Sequence, residues 1–355
     1  LGKVTMRQFI AFAFIFVLGF AFCTSHTDVA TADDIAVYRG ADRQARLEKG
    51  AKAEGEVGWY TSVSAPDSQK IVEAFEQRYP FVKVKLVRTN SASMVQRFTT
   101  ELQARRYTAD ILDTNDTRIE FLRRKGTLQP YHTPVAEKFD KRFLQSQGFW
   151  VANRATMIVL GYNTRLVKSA DVPQRYEDLL ASKWKDQIAL EREDSHWLMG
   201  LMEYWGEEKG KAFFQKLRAQ NPKVRTGHTL LAQLIAAGED FLSPNAHSQG
   251  IATGQRNGAP VEWVNLEPVI GSSNVSGLSK NAPHPHAAML FIDFMLSKDG
   301  GQKILREVNR IPTHPEVLPN PPRLREGFNF VIVDPVRYND KIDYYSKLWH
   351  EWFLH

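Results

Sequence analysis

The chain has 355 residues, 43% of them hydrophobic and 24% charged, with 46 lysines and arginines against 40 acids for a net charge of +6. That is ordinary globular composition, at a length that suggests roughly two domains. The basic residues are scattered among acids rather than gathered in a run, which describes a solvated surface and argues against nucleic acid as a partner.

Taken in chain order, the first segment reads as a secretory signal peptide. Lys3 and Arg7 precede the apolar run Phe9–Phe22, and "ATA" (Ala30–Ala32) places small residues just before Asp33. The run is short for a bilayer span, so residues 1–32 are expected to be removed on export to the periplasm. Cys23 is the single cysteine, and Phe20 and Phe22 sit poorly around a lipoprotein site. With Cys23 gone, disulfides, thiolate metal sites and a cysteine nucleophile are excluded. No later apolar stretch is long enough to cross a membrane.

From Glu56 the pattern alternates strand and helix. "GEVGWYTS" is a strand, Ile71, Phe75 and Tyr79 recur at helical spacing, and "FVKVKLVR" alternates again as a strand. A helix in "SASMVQRFTTELQARR" and the strand "ADILDT" follow; Asn115 and Asp116 then cap the helix "TRIEFLRRKG". This β-α-β-α-β-α order predicts a mainly parallel sheet, whose ligands lie beyond the carboxyl ends of the strands. A second unit starts at the strand "ATMIVLGYNT" and runs through helices in "WGEEKGKAFFQKLRAQ" and "GHTLLAQLIAAGE" and the strand "APVEWV". "NVSGLSK" reads as a strand going back, and "PHAAMLFIDFMLSKDGGQKIL" as helix, break and helix. A Pro- and Arg-rich tail precedes a last amphipathic helix near Ile342–Trp352.

Side by side, the stretches "YTSVS", "AFEQRYPFVKVKLVR", "ADILDTND", "YNTRLV", "YEDLLASKWKDQIAL", "RTGHTLLAQLIAAGE", "GAPVEWV" and "APHPHAAMLFIDFMLSKDGGQKIL" resemble a type II periplasmic solute-binding protein of an ABC importer. They are most similar to the branch that includes ferric-iron-binding proteins, and it is their order from about Glu56 to Arg310 that carries the resemblance. It implies an α/β fold of two lobes, each a mainly parallel sheet with flanking helices, joined by two crossing hinge strands that close over a ligand. The expected division is 33–155 plus 276–310 for lobe 1, 156–275 for lobe 2, and 311–355 for a helical tail packing on one lobe. The implied partners are a small-molecule ligand and the permease and ATPase of an importer, served by a monomer that is not an enzyme and needs no cofactor. Iron-binding relatives supply a histidine, a glutamate and a tyrosine pair, where this chain has Ser64, Asn115, Asn245 and Ala246. Ferric iron wants anionic oxygen ligands, so no metal ligands are expected; an iron(III) or ferric-chelate cargo is the alternative.

The residues themselves point to an anion. Thr61, Ser62 and Ser64 stand at a helix start, where free N–H groups and short hydroxyls attract negative charge; Ser64 or Asp67 as a plain cap is the bland alternative. Arg88, with Ser91 after it, ends a strand at the same edge and suits a phosphate, phosphonate or carboxylate, unless it is only a solvated charge. "RTGHT" puts Arg225, His228 and Thr229 at a second helix start, mirroring the first across the cleft. In "EREDSHW", Asp194 and Trp197 are either pocket floor or an N-cap with a core tryptophan. Asn245, His247 and Glu262 are further candidates, with Asn115 and Asp116 at the end of "ADILDTND". His284 and His286 flank Pro285 and read as a turn rather than a ligand pair. The rival class, a secreted enzyme, finds no G-x-S-x-G and no matched carboxylate pair.

Overall fold

A computed structural model describes residues 32–354; Cys23 and nearly all of the expected signal peptide lie outside the described residues. Helices α1 (Ala32–Val37) and α2 (Arg43–Glu54) come before the first strand. The alternating segment then forms β1 (Glu56–Thr61), α3 (Ala65–Arg78), β2 (Lys83–Arg88), α4 (Ser91–Gln103), β3 (Ile111–Asn115) and α5 (Asp116–Arg124). β2, β1 and β3 pair in parallel, as βαβ crossovers require. The short β4 (Leu128–Gln129) leads to β5 (Trp150–Asn163), a strand buried along its whole length.

The second unit comprises β6 (Ala189–Glu191), α6 (Ser195–Trp205), α7 (Glu207–Ala219), β7 (Lys223–Arg225), α8 (His228–Ala237), β8 (Leu242–His247), α9 (Ser248–Arg256) and β9 (Val261–Val264). Gly238 ends α8 in the left-handed conformation at φ 82°, which a side chain would resist. The chain returns along β10 (Val269–Ser279) and continues through α10 (Pro285–Leu296), α11 (Gly301–Glu307), β11 (Ile311–Pro312), β12 (Phe330–Ile332) and α12 (Pro335–Phe353).

β5 and β10 are the strands that cross between lobes. They pair antiparallel from Ile158/Ile270 to Trp150/Gly277, with a register shift at Asn274/Val275. One end of β10 also pairs with β3 of lobe 1, while the far end of β5 pairs with β8 and β9 of lobe 2. Beneath lobe 1, the faces of β1, α3 and α10 bury Trp59, Phe75 and Phe291 together. The lobe 2 core gathers Trp197, Phe214 and Leu201, and α12 adds Tyr345, Trp349 and Phe353 to it. Of the tail, the helix α12 therefore packs against this core. It also reaches lobe 1: Asp340 pairs with Arg124 of α5 at 2.6 Å, and Asn339 donates to the Thr117 carbonyl at 3.0 Å. No helix among the described residues is long and apolar enough to cross a membrane.

Candidate functional site

A cavity of about 760 Å³ lies between the lobes, lined by the start of α5, the ends of lobe 2 strands, the crossing strands and α12. On the lobe 1 side, Asn115 ends β3 and starts α5 by accepting the Arg118 backbone N–H at 3.1 Å. Asp116 is buried and accepts the Ser273 N–H of β10 at 3.0 Å. Burial raises its carboxyl to about 7, against the pull of that N–H. Arg118 lines the cavity with its side chain exposed and no ion-pair partner among the described residues, and Lys125 follows at the end of the same helix.

The lobe 2 wall is different. β6 and β7 are parallel, so their carboxyl ends deliver Glu191 and the turn into α8 to the same edge. The Glu191 carboxylate accepts the Gly227 N–H at 2.9 Å and the Glu193 N–H at 2.5 Å. Asp194, just ahead of α6, accepts from the Asn245 amide at 2.8 Å, and Asn245 in turn accepts the Glu191 N–H at 3.1 Å. The other Asp194 oxygen stands 3.2 Å from His228 Nε2 and 3.6 Å from His196 Nδ1. The His228 ring stacks on His247 with centroids 3.3 Å apart and 15° between planes. Burial opposes charging His228, but the Asp194 carboxylate outweighs it, so the imidazole is held above its ordinary value. Burial pushes His196 down, and burial together with the neighbouring His228 and His196 holds His247 well below the ordinary range. Burial, then Asp194, pushes Glu191 up.

Of the sequence candidates, the fold brings Asn115, Asp116, Asp194, His228 and His247 onto the cavity, with Asn245 directly behind. The others lie elsewhere. The Thr61 hydroxyl is buried and accepts the Val63 N–H at 3.1 Å, and the Ser62 N–H donates to the Asp113 carbonyl at 3.0 Å. Ser64 stands ahead of α3 without a side-chain cap bond. Arg88 donates to the Val63 carbonyl at 3.0 Å, and Ser91 accepts from the Thr114 hydroxyl at 2.7 Å. Four expectations need correction. Trp197 is fully buried against Phe214, Tyr176 and Trp349, a core residue because its ring fills the space beneath α6. Arg225 is gripped by Asp240 through two bonds of 2.9 and 2.7 Å, so its charge is already matched. Glu262 pairs with Arg323 at 2.5 Å, and Thr229 is exposed away from the cavity lining. The mirrored anion clamp fails in lobe 2 for a further reason: Glu191 itself occupies the backbone N–H ahead of α8.

Sequence reasoning missed Arg118, Glu191, Glu193 and His196 as cavity residues. Glu191 and His196 were within reach, because "EREDSH" packs acids and a histidine into the turn after a strand. No metal ligands were expected, yet Glu191, Asp194 and His228 each place one ligand atom within 4.8 Å of the others. His284 and His286 do sit at the turn into α10, bound to Asp110 at 2.9 Å and Glu54 at 2.7 Å.

A curled sheet shared by two lobes, with a cleft between them, is the two-lobed fold of type II periplasmic binding proteins. The chain matches the bacterial extracellular solute-binding protein family over residues 107–334, and it belongs to that family. No curated protein matches it. Among solved structures it is similar to iron-bound HitA from Pseudomonas aeruginosa, at 17% identity and a TM-score of 0.71, covering 83% of this chain and 99% of that one. It is also similar to the Trichodesmium protein IdiA (FutA) in complex with iron and citrate, at 20% identity and 0.71, covering 84% and 100%. AfuA from Actinobacillus pleuropneumoniae, with fructose-6-phosphate bound, shares 21% identity at 0.72, covering 84% and 98%. At such identities the likeness is one of fold. The family consists of proteins that bind a solute outside the cytoplasm rather than of enzymes.

Proposed function

We propose that this protein captures a small solute of mixed charge between its lobes and delivers it to the permease and ATPase of an ABC importer. One observation carries the reading: the two walls of a single cavity have opposite character. Arg118 and the start of α5 face the solute from lobe 1, whereas Glu191, Glu193 and Asp194 face it from lobe 2 with three imidazoles. An anion held from both sides would meet those carboxylates directly, and such like-charge contact costs on the order of several kcal/mol. A solute with a phosphate, phosphonate or carboxylate toward Arg118 and a cationic centre toward Asp194 satisfies both walls. The neighbours bound to iron with citrate and to fructose-6-phosphate are consistent with an anionic group in such a cleft.

Native mass spectrometry of protein purified without refolding would weigh a co-purified solute, and small-angle scattering would show compaction on adding it back. Arg118→Ala should weaken binding by about one to two decades, the worth of a hydrogen bond to a charged group. A solute that stays bound with unchanged affinity in either Arg118→Ala or Asp194→Asn would overturn the reading.

A further inference from the structure

We propose that Glu191, Asp194 and His228 form a binding site for a divalent transition-metal ion, which supplies the cationic centre of the captured solute. The inference deepens the mixed-charge reading and rests on it for what the metal carries.

The donor set is built rather than accidental. Its members come from the end of β6, the turn into α6 and the first residue of α8, three elements fixed by packing. Their ligand atoms lie within 4.8 Å of one another, and His228 Nε2 and Asp194 Oδ1 are 3.2 Å apart. Two ligands that each stand about 2.0–2.2 Å from one tetrahedral metal are themselves separated by roughly 3.3–3.6 Å. Both carboxylates are oriented from behind, Glu191 by the Gly227 and Glu193 N–H groups and Asp194 by the Asn245 amide. Metal-ligating carboxylates are held by outer partners of this kind. His228 Nδ1 and His196 Nε2 are buried with no hydrogen-bond partner among the described residues, although buried polar atoms are seldom left so.

The chemistry of the set selects the ion. Two carboxylates and an imidazole leave a net negative site, and Arg225, the nearest lobe 2 arginine in sequence to His228, is already bound to Asp240. Imidazole among oxygen donors favours zinc-like ions over calcium or magnesium. Three protein ligands leave a coordination position for an anionic group of the solute, which Arg118 can meet from the opposite wall. The ion would thus join the lobes through the solute it carries. A simple Asp–His pair explains less, because it leaves out Glu191, whose ligand atom lies within 4.8 Å of both others.

Zinc ion alone, with no organic solute, is the probe. Titration calorimetry of the purified protein in metal-free buffer should show one Zn²⁺ bound, and native mass spectrometry should show the matching mass. Asp194→Asn and His228→Gln should each weaken it by at least about tenfold. His286→Gln, which touches the His286–Glu54 pair outside the cleft, should leave it unchanged. Circular dichroism melts of each variant establish that it is folded. Absence of Zn²⁺ binding by the folded native protein, unchanged affinity in both cleft variants, or an equal loss in His286→Gln would overturn the site. If Zn²⁺ binds as described but Arg118→Ala leaves solute capture intact, the metal site stands and the mixed-charge reading falls. If Arg118 matters and Zn²⁺ does not bind, the reading stands and the metal site falls.

Discussion

Two buried polar clusters lie close together in this molecule, and they are satisfied to different degrees. Where β3, β5 and β10 meet, Arg154 donates to Asp113 at 2.9 Å, to Asn153 at 2.8 Å and to Asn274 at 3.2 Å. Asn153 donates in turn to Asp113 and to the Ser276 hydroxyl, at 3.1 and 2.9 Å, so the cation and the anion are matched within the cluster. At the lobe 2 rim, only Asp194 stands within reach of the His228 imidazole, at 3.2 Å, the Glu191 carboxylate is held by backbone N–H groups, and nitrogens of His228 and His196 stay unpartnered. The first arrangement is closed and holds the crossing strands in register. The second retains donor capacity, as a site that must accept something does. Burial and charge alone would not tell them apart; a census of hydrogen bonds does.

The largest effect that tests this contrast comes from opening the closed cluster. Asp113→Ala leaves Arg154 buried without its anion, which should cost about 3–5 kcal/mol of stability in urea melts. Asp113→Asn keeps an acceptor and should cost visibly less. If Asp113→Ala melted like the native protein, the crossing strands would not depend on this pair, and the distinction drawn between the clusters would lose its physical basis.

Asp116 gives a smaller effect of opposite sign. Its carboxyl, buried at the cleft edge, is raised from the ordinary 3.8 to about 7. Between those values the unfolded chain releases the proton while the folded protein keeps it. This group's contribution to stability therefore falls as pH rises from about 4 to about 7 and is then level. Asn at this position keeps an oxygen for the Ser273 N–H and cannot ionise. Each tenfold preference for the protonated form is worth about 1.4 kcal/mol, and water entering the cleft beside Asp116 reduces the sum. Asp116→Asn should thus stabilise the protein at neutral pH by on the order of 2 kcal/mol, and by little at pH 4. Paired urea melts at the two pH values read the difference; an equal change at both would show that charge is not the cause.

The division between what could and could not be read from sequence follows from how far apart interacting residues lie. The β-α alternation from Glu56, the helix-break-helix of α10 and α11 and the Asn115 cap depend on neighbours within a few positions, and the periodicity displays them. α2 escaped because its buried face is thin, only Leu47 and Ala51 beside Arg43 among charged residues. Arg225 and Glu262 were assigned to the cleft because their partners, Asp240 and Arg323, stand 15 and 61 residues away and meet them only in the fold. The Glu191–Asp194–His228 set has the same origin. Asp194 and His228 are each visible at a helix start, but the sequence offers Asp194 only as pocket floor or N-cap and His228 as an anion donor, since nothing in "RTGHT" reveals that Glu191 takes the Gly227 N–H. A helix start attracts anions in general; whether it does so here depends on which carboxylate reaches it first.

Ser64 provides the smallest and most discriminating effect, because it stood at the other of the two helix starts. As a cap it would accept an N–H from the first turn of α3, and its loss would cost about 0.5–2 kcal/mol. It makes no such bond: its side chain caps nothing, Pro66 in the first turn has no N–H to offer, and the Ser68 N–H goes to the Ser64 carbonyl, which alanine also supplies. Nor does it line the cavity that holds Arg118 and Asp194. Ser64→Ala should thus change stability by less than about 0.5 kcal/mol, as a substitution that removes no specific contact does, and change solute affinity by less than about twofold. A loss of stability alone would restore the cap. A loss of affinity of about tenfold or more with unchanged stability would mean that the lobe 1 hydroxyls, and not the start of α5, meet the solute. The opposed walls would then have to be redrawn around "YTSVS".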